Sequence, residues 1–396
     1  MKPVAFPRRR RSGGFSLVEL MVSVVIGLLA IMFATKLVVS SEQSKAVSLG
    51  GSDSMQNGML ALFTLSGDAG QSGWGLNDNR VNGCNTLMSD VNGYTLLSVP
   101  VGGVAQTPLA PVVIQSNGAA SDQVSFNFGS SSVAAGSVGL LANYALGGAA
   151  LTTDAKNMYG FGVNDVLLVA HDPALPGGVG KCALAEVASA DPVAGTITLG
   201  GSMRFNATGG LGEAYSQGST RVFDLGPESA LAFHTWSVQN GVLMLQATNL
   251  AGASASPVSV VDNVVAIKAQ YGFDTSVVAG TYTGDNGMPV LQWSGPMIDA
   301  DGDGVVGGPG DFARVAAVRL AVVARSKNPE KINPKTGVCA ATKVLPTVFN
   351  SASPATTAAV PMQVNVAVAG DAIDWKCYHY RVFETIVTMR NLEWRP

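Results

Sequence analysis

From Leu17 to Thr35 the chain reads LVELMVSVVIGLLAIMFAT, an almost unbroken apolar run. Extended back to Phe15, it reaches roughly the 20 residues that a helix needs to cross a bilayer. Arg8, Arg9, Arg10 and Arg11 precede the run and Lys36 follows it. Basic residues stay on the cytoplasmic side of a span, so the arginine cluster predicts a long C-terminal part on the outside. A secretory signal places its small residues and its cut after the apolar stretch. Here the pair Gly13-Gly14 comes before it, so cleavage there removes a basic leader and leaves the anchor attached. Glu19 breaks the pattern, because an ionised carboxylate in hydrocarbon is costly unless it is paired.

Past the anchor, Val47, Leu49, Met55, Met59, Leu62, Phe63 and Leu65 have a loosely helical spacing that predicts a continuation of the helix. Gly50-Gly51 and Gly58 weaken it and predict a bend or break near residue 50. The glycines of GDAGQSGWG, residues 67–75, end it. Strand signals follow. Asp122–Phe128 alternates as DQVSFNF, and Asp165–Ala170 is a short apolar run. Phe233–Val238 and Val242–Leu245 flank Asn240-Gly241, a pair suited to a type I′ turn, which predicts a hairpin. Val264–Tyr271, Val315–Ala324 and Tyr380–Arg390 are further strands, while 129–153 and 350–359 read as loops. The reading is an α+β fold with no repeat of fixed period. Its parts are a leader 1–14, a membrane helix 15–36, a continuation 37–68 and a β-rich body 69–396, with a subdomain inserted at about 100–220.

Composition sharpens this picture. The chain has 396 residues, 13% of them charged and 47 of them glycine, which is too apolar for a disordered protein. The leader holds Lys2 and the four arginines and no acid, so its removal takes the formal net charge from −3 to −8. An acidic body argues against general capture of DNA, and no nucleic-acid partner is expected. Cys84, Cys182, Cys339 and Cys377 form no CxxC pair, and three scattered histidines add no zinc spacing. An even count in an exported body favours two disulfides with three connectivities. Pairing neighbours along the chain gives Cys84–Cys182 and Cys339–Cys377, and four reduced thiols is the competing reading.

Cleavage after Gly14 would create an amine on Phe15, four residues before Glu19. Charges at that spacing can pair within one helix or between packed helices; alternatively Glu19 snorkels to the headgroups. The stretch R-S-G-G-F-S-L-V-E-L, Arg11 to Leu20, resembles the class III prepilin signal of type IV pilins and type II secretion pseudopilins. The resemblance implies cleavage between Gly14 and Phe15 and N-methylation of Phe15, both by the prepilin peptidase. It also implies that Glu19 neutralises the terminal amine of a neighbouring subunit. Many major pilins carry a proline late in this helix; here none lies between Pro7 and Pro100, which leaves Gly27 as the flexible point of the membrane stretch.

Five further patches resemble the PilW group of minor pilins, in order along the chain: LSGDAGQSGWG (65–75), DNVVAIKAQYGFDT (262–275), DADGDG (299–304), ARVAAVRLAVVARS (313–326) and YRVFETIVTMRN (380–391). Residues from about 80 to 220 show no such likeness. Where that group often carries a basic residue after the helix, this chain has Asp68. The resemblance implies a pilin-like fold whose helix packs on a sheet. It also implies an inner-membrane, single-pass subunit with a periplasmic body, bound for the pilus tip at the cell surface. Its implied partners are other minor pilins, the major pilin, the prepilin peptidase and the inner-membrane assembly platform. A minor pseudopilin shares the signal and the helix, and a tip adhesin or DNA-uptake receptor is a reading from a different class.

One local pattern points to a metal. Asp299, Asp301, Asp303 and Gly304 give D-x-D-x-D-G, the opening half of an EF-hand-type calcium loop, with the Val305 carbonyl as a fourth ligand. The twelfth position, where a bidentate Glu belongs, is Gly310; Asp311 is one residue late and could substitute. A solvated Asp/Gly turn is the bland alternative to a structural Ca2+. No enzyme motif competes. Lys335-Thr336-Gly337 matches one element of the penicillin-binding enzymes, but no serine lies three residues before a lysine. His171, His234 and His379 are far apart, and Trp74, Trp236, Trp293, Trp375 and Trp394 read as core or interface residues.

Overall fold

The computed structural model describes residues 14, 16–76, 78, 80–131, 136–154, 160–171, 181–200, 203–206, 210–276, 288–332, 336–339 and 341–393. The chain divides into two units, residues 1–52 and 53–396. A single helix, α1, runs from Leu17 to Gln71. The break expected near residue 50 is absent, and α1 passes through Gly50-Gly51 and Gly58. A mid-helix glycine costs only about 1 kcal/mol. Against that, Ser54, Ala61, Leu65 and Ala69 bury one face, and burying a leucine side chain contributes roughly 1.5–3 kcal/mol. Gly58 lies on that face because Phe383 covers it: a Cβ there would come within 2.0 Å of the ring. After Gln71, Gly73 and Gly75 take φ of 88° and 75°, the left-handed conformation that stops a helix.

Two antiparallel sheets meet this face. One has the strand order Gln292–Ser294, Val264–Phe273, Val315–Arg325, Tyr380–Thr388. The other runs Val258–Asp262, Val242–Ala247, Ala232–Gln239, Gln123–Phe128, Val112–Gln115. Ala61, Leu65 and Ala69 of α1 share one core with Phe126, Trp236, Tyr271 and Leu320. Strands Val264–Phe273 and Val315–Arg325 are buried nearly throughout. Their second face is covered by the segment around Val348, Phe349, Val364 and Val366, which explains why both read as continuous rather than alternating apolar runs. That face also holds two buried cations, each satisfied. Lys268 Nζ donates to the Gly118 and Ala120 carbonyls and pairs with Asp122, and Arg319 Nη2 reaches Glu384 at 3.1 Å. The expected hairpin forms, with Gln239 paired to Val242 and φ of 51° and 78° at Asn240 and Gly241.

A third, six-stranded sheet has the order Pro108–Leu109, Cys84–Leu87, Lys181–Glu186, Asp165–His171, Thr220–Pro227, Ser137–Gly139, and smaller sheets of two and three strands accompany it. Alternate residues of Asp165–His171 enter two cores: Val166, Leu168 and Ala170 face one, Leu167 and Val169 the other. Ser137–Gly139 and Ala150–Thr152 are strands inside a stretch expected to be loop. Three-residue strands are too short to carry an alternation that sequence reading can detect. The last strand ends at Thr388 rather than Arg390, because Arg390–Glu393 turn into a short helix. Disulfides join Cys84 to Cys182, on neighbouring parallel strands, and Cys339 to Cys377. These are the neighbour-along-chain pairings.

Candidate assembly helix and acidic loop

The first half of α1, Leu17–Glu42, is long and apolar enough to cross a membrane, and none of it is buried by the rest of the chain. Leu17 is 77% exposed and Phe33 72% exposed, so these side chains demand an apolar environment that the described residues do not supply. Glu19 lies in the first helical turn and is exposed. Gly14 is exposed just before it, and Phe15 lies outside the described residues, as does the rest of the basic leader.

The second half of α1 is fixed to the body by a charge that sequence reasoning set aside. Asp68 Oδ2 accepts the indole N–H of Trp236 at 2.7 Å and pairs with His234 Nδ1 at 2.8 Å. His234 Nε2 faces Asn249 Oδ1 at 2.8 Å, so both ring nitrogens meet oxygen acceptors, as an imidazolium requires. Burial opposes that charge, yet Asp68 and Asn249 more than offset it and hold the His234 pKa above its ordinary value. The available signal was that Asp68 is the only charged residue between Asp53 and Asp78.

In the acidic loop, carboxylate oxygens of Asp299, Asp301 and Asp303 lie within 4.8 Å of one another. Gly302 and Gly304 adopt φ of 80° and 87°, which lets the loop turn tightly enough for alternate side chains to converge. Asp299 accepts the Gly302 and Gly304 amides at 2.8 and 3.0 Å. Asp303 accepts the Val305 amide at 2.7 Å. Burial raises the Asp301 carboxyl above its usual range, and the Asp303 and Asp299 charges add to the shift. Asp311 has a different task from the ligand role expected of it. It is fully buried, and its Oδ1 accepts the amides of Ala300 and Asp301 at 2.5 and 3.2 Å. Its Oδ2 accepts those of Gly307 and Gly308 at 2.7 and 3.1 Å. Four backbone donors occupy its lone pairs, so Asp311 ties both ends of the loop together from inside. Gly310 is the neighbour of Asp301: a Cβ there would stand 1.7 Å from Asp301 Oδ2, so no side chain fits.

The histidines stay apart. His171 stacks on Tyr215 with ring centres 4.6 Å apart, and His379 Nε2 meets Glu330 at 2.8 Å. The indole N–H groups of Trp74 and Trp293 donate to the carbonyls of Ser131 and Ser353 at 3.1 and 2.7 Å, as packed tryptophans do. Trp375 borders a cleft of about 330 Å³ shared with Arg325, Asp371 and Tyr380. Trp394 and Lys335 lie outside the described residues.

An apolar N-terminal helix whose second half packs on antiparallel sheets gives the chain a pilin-like α+β fold. Residues 9–35 match the family model of the prokaryotic N-terminal methylation motif, and residues 234–391 match that of type IV pilus-assembly protein W. The two matches thus fall on the prepilin-like N-terminus and on a PilW-like C-terminal part of the same chain. The second match covers four of the five PilW-like patches and starts at His234, beside the Asp68 contact. Among solved structures the chain is similar to a type IV-like pilin from Thermus thermophilus, at 14% identity and a TM-score of 0.19 over 41% of this chain and 70% of that one. No curated protein matches the chain.

Proposed function

We propose that this chain is a minor pilin that helps start pilus assembly in a tip complex with other minor pilins and the major pilin. The observation that carries the reading is the pairing of a methylation motif over 9–35 with a PilW match over 234–391 in one chain. On this reading the prepilin peptidase cuts between Gly14 and Phe15 and methylates the new amine. The helix waits in the inner membrane with the body in the periplasm until the assembly platform draws it into the base of a growing fibre. Glu19 then pairs with the terminal amine of a neighbouring subunit, because a carboxylate in an apolar helix bundle needs a cation. The function is binding and scaffolding without catalysis.

The test is deletion of the gene in a strain unable to retract pili, with filaments counted by electron microscopy and secreted exoproteins assayed in parallel. Loss of pili with normal secretion is expected; normal pili with failed secretion would transfer the chain to a type II secretion pseudopilus. Glu19→Ala should leave leader cleavage intact and impair assembly, and wild-type pilus numbers in that variant would sink the pairing role.

The acidic loop is read as a structural calcium site, with Asp299, Asp301, Asp303 and the Val305 carbonyl as ligands and Asp311 as the brace behind them. The convergence of three carboxylates within 4.8 Å supports this, because hard cations take several oxygens and relieve the mutual repulsion. The ion would pin the loop ahead of strand Val315–Arg325.

A further inference from the structure

We propose that the cleft between Arg325 and the turn 371–375 binds a neutral sugar, which it holds by the sugar's hydroxyls and by the ring of Trp375. The site does not depend on which filament the chain joins. The cleft encloses about 330 Å³, at the lower end of the range of about 300–1,000 Å³ for small-molecule pockets and on the scale of a single sugar ring. Trp375 differs from the packed tryptophans. Trp74, Trp236 and Trp293 each donate the indole N–H, to Ser131, Asp68 and Ser353. Trp375 is half-buried on the cleft wall, and its indole N–H has no acceptor among the described residues. Arg325 lines the same cleft. Its Nη1 donates to Asp371 Oδ2 at 2.6 Å, while its Nε is buried without an acceptor. A buried donor in that state is costly, and an oxygen brought into the cleft by a ligand relieves the cost.

Charge selects the class of ligand. Asp371 accepts from Arg325 and, at 3.0 Å each, from the Ile373 amide and the Tyr378 hydroxyl, and the Arg325 bond above all holds its carboxyl below the usual range. Asp374 Oδ1 accepts the Lys376 amide at 2.9 Å, and its Oδ2 has no partner among the described residues. Lys376 Nζ stands 5.6 Å from the centre of the Trp375 ring. Two carboxylates and two cations therefore sum to zero. An anion would meet Asp371 and Asp374, and a cation would meet Arg325 and Lys376. A neutral polyhydroxyl ligand both donates and accepts, so it suits both signs, and its C–H face suits an aromatic ring. The turn is held before anything binds. Asp374 caps the short helix Trp375–Cys377, Cys377 is tied to Cys339, and the Tyr380 hydroxyl donates to the Trp375 carbonyl at 3.0 Å. Such preorganisation lowers the entropy lost on binding. Trp375 and Tyr380 pack against the core on the sheet face opposite α1, so a helix engaged elsewhere leaves the cleft open.

The test is saturation-transfer NMR on the full-length chain in a detergent without a sugar headgroup. The probes are glucose, galactose, mannose, N-acetylglucosamine and N-acetylgalactosamine, with N-acetylneuraminic acid as the anionic control. Transfer to the ring protons of at least one neutral sugar is expected, with weaker transfer to the acid. Trp375→Leu keeps an apolar side chain against the core and removes the ring, and it should weaken binding at least tenfold. Ala372→Trp fills the cleft from an exposed position and should do the same while both disulfides and the thermal midpoint persist. No transfer to any neutral sugar would overturn the proposal. So would tighter binding of the acid than of every neutral sugar, or binding that survives Ala372→Trp unchanged.

Discussion

Asp68 of α1 and Trp236 of the central strand are joined by a 2.7 Å hydrogen bond that crosses from helix to sheet. The same carboxylate oxygen holds His234 at 2.8 Å, so one side chain fixes how the outer half of α1 meets the body. Removing it would leave a partly buried indole N–H and an imidazole without their acceptor, which costs about 1–3 kcal/mol. Asp68→Ala should therefore lower the thermal midpoint of the full-length chain in detergent by several degrees. Asp68→Asn should lose less, because its amide oxygen can still accept from Trp236. Equal midpoints for Asp68→Ala and the parent chain would refute the anchoring role.

The His234 pair makes stability depend on pH in a fixed direction. The folded-state pKa is raised, so the folded form binds the proton more tightly than the unfolded form does. The contribution is fully present below the unfolded value of about 6.5 and is lost as pH rises through the raised folded value. Denaturation midpoints of the parent chain and His234→Gln should differ most at about pH 5.5–6 and converge toward mildly alkaline pH. A gap that stays constant or widens on raising the pH would contradict the pairing.

Glycines in α1 should respond in opposite ways. At Gly67 and Gly70 an added Cβ meets nothing within 4 Å, so Gly→Ala should stabilise the body by about 0.5–1 kcal/mol at each site through helix propensity. At Gly58 the Cβ would stand 2.0 Å from Phe383 and must push the ring off the helix. Overpacking of this kind costs about 1–3 kcal/mol, which exceeds the propensity gain. Urea denaturation of the three single variants checks the sign at each position.

Calcium titrated into the full-length chain by calorimetry should show one site. Asp301→Asn should weaken it at least tenfold, because the central of the three carboxylates loses its charge. Asp311→Asn should act mainly on loop stability, since its oxygens are spent on backbone amides. Absence of any heat at millimolar calcium would dispose of the metal reading.

The sequence by itself determined the anchor, the cleavage signal and the order of the main strands. Each rests on a local property: the length of the apolar run at 17–35, the position of Gly13-Gly14 ahead of it, and the turn chemistry of Asn240-Gly241. Hydrophobic period, charge and glycine placement act within a few residues and need no partner to be read. The disulfide pairing was favoured by chain order but was one of three open connectivities, and the fold selected it by setting Cys84 and Cys182 on neighbouring strands. Tertiary structure decided what distance hides. Gly50-Gly51 and Gly58 looked like a break, but α1 runs through them without one, and Gly58 proves to be the seat of Phe383. Asp68 looked inert because its partners lie more than 160 residues away. Asp311 looked like a misplaced ligand, yet burial turned its carboxylate onto four amides. A charged side chain takes its role from whatever desolvates and surrounds it, and that environment is assembled only when distant segments close together.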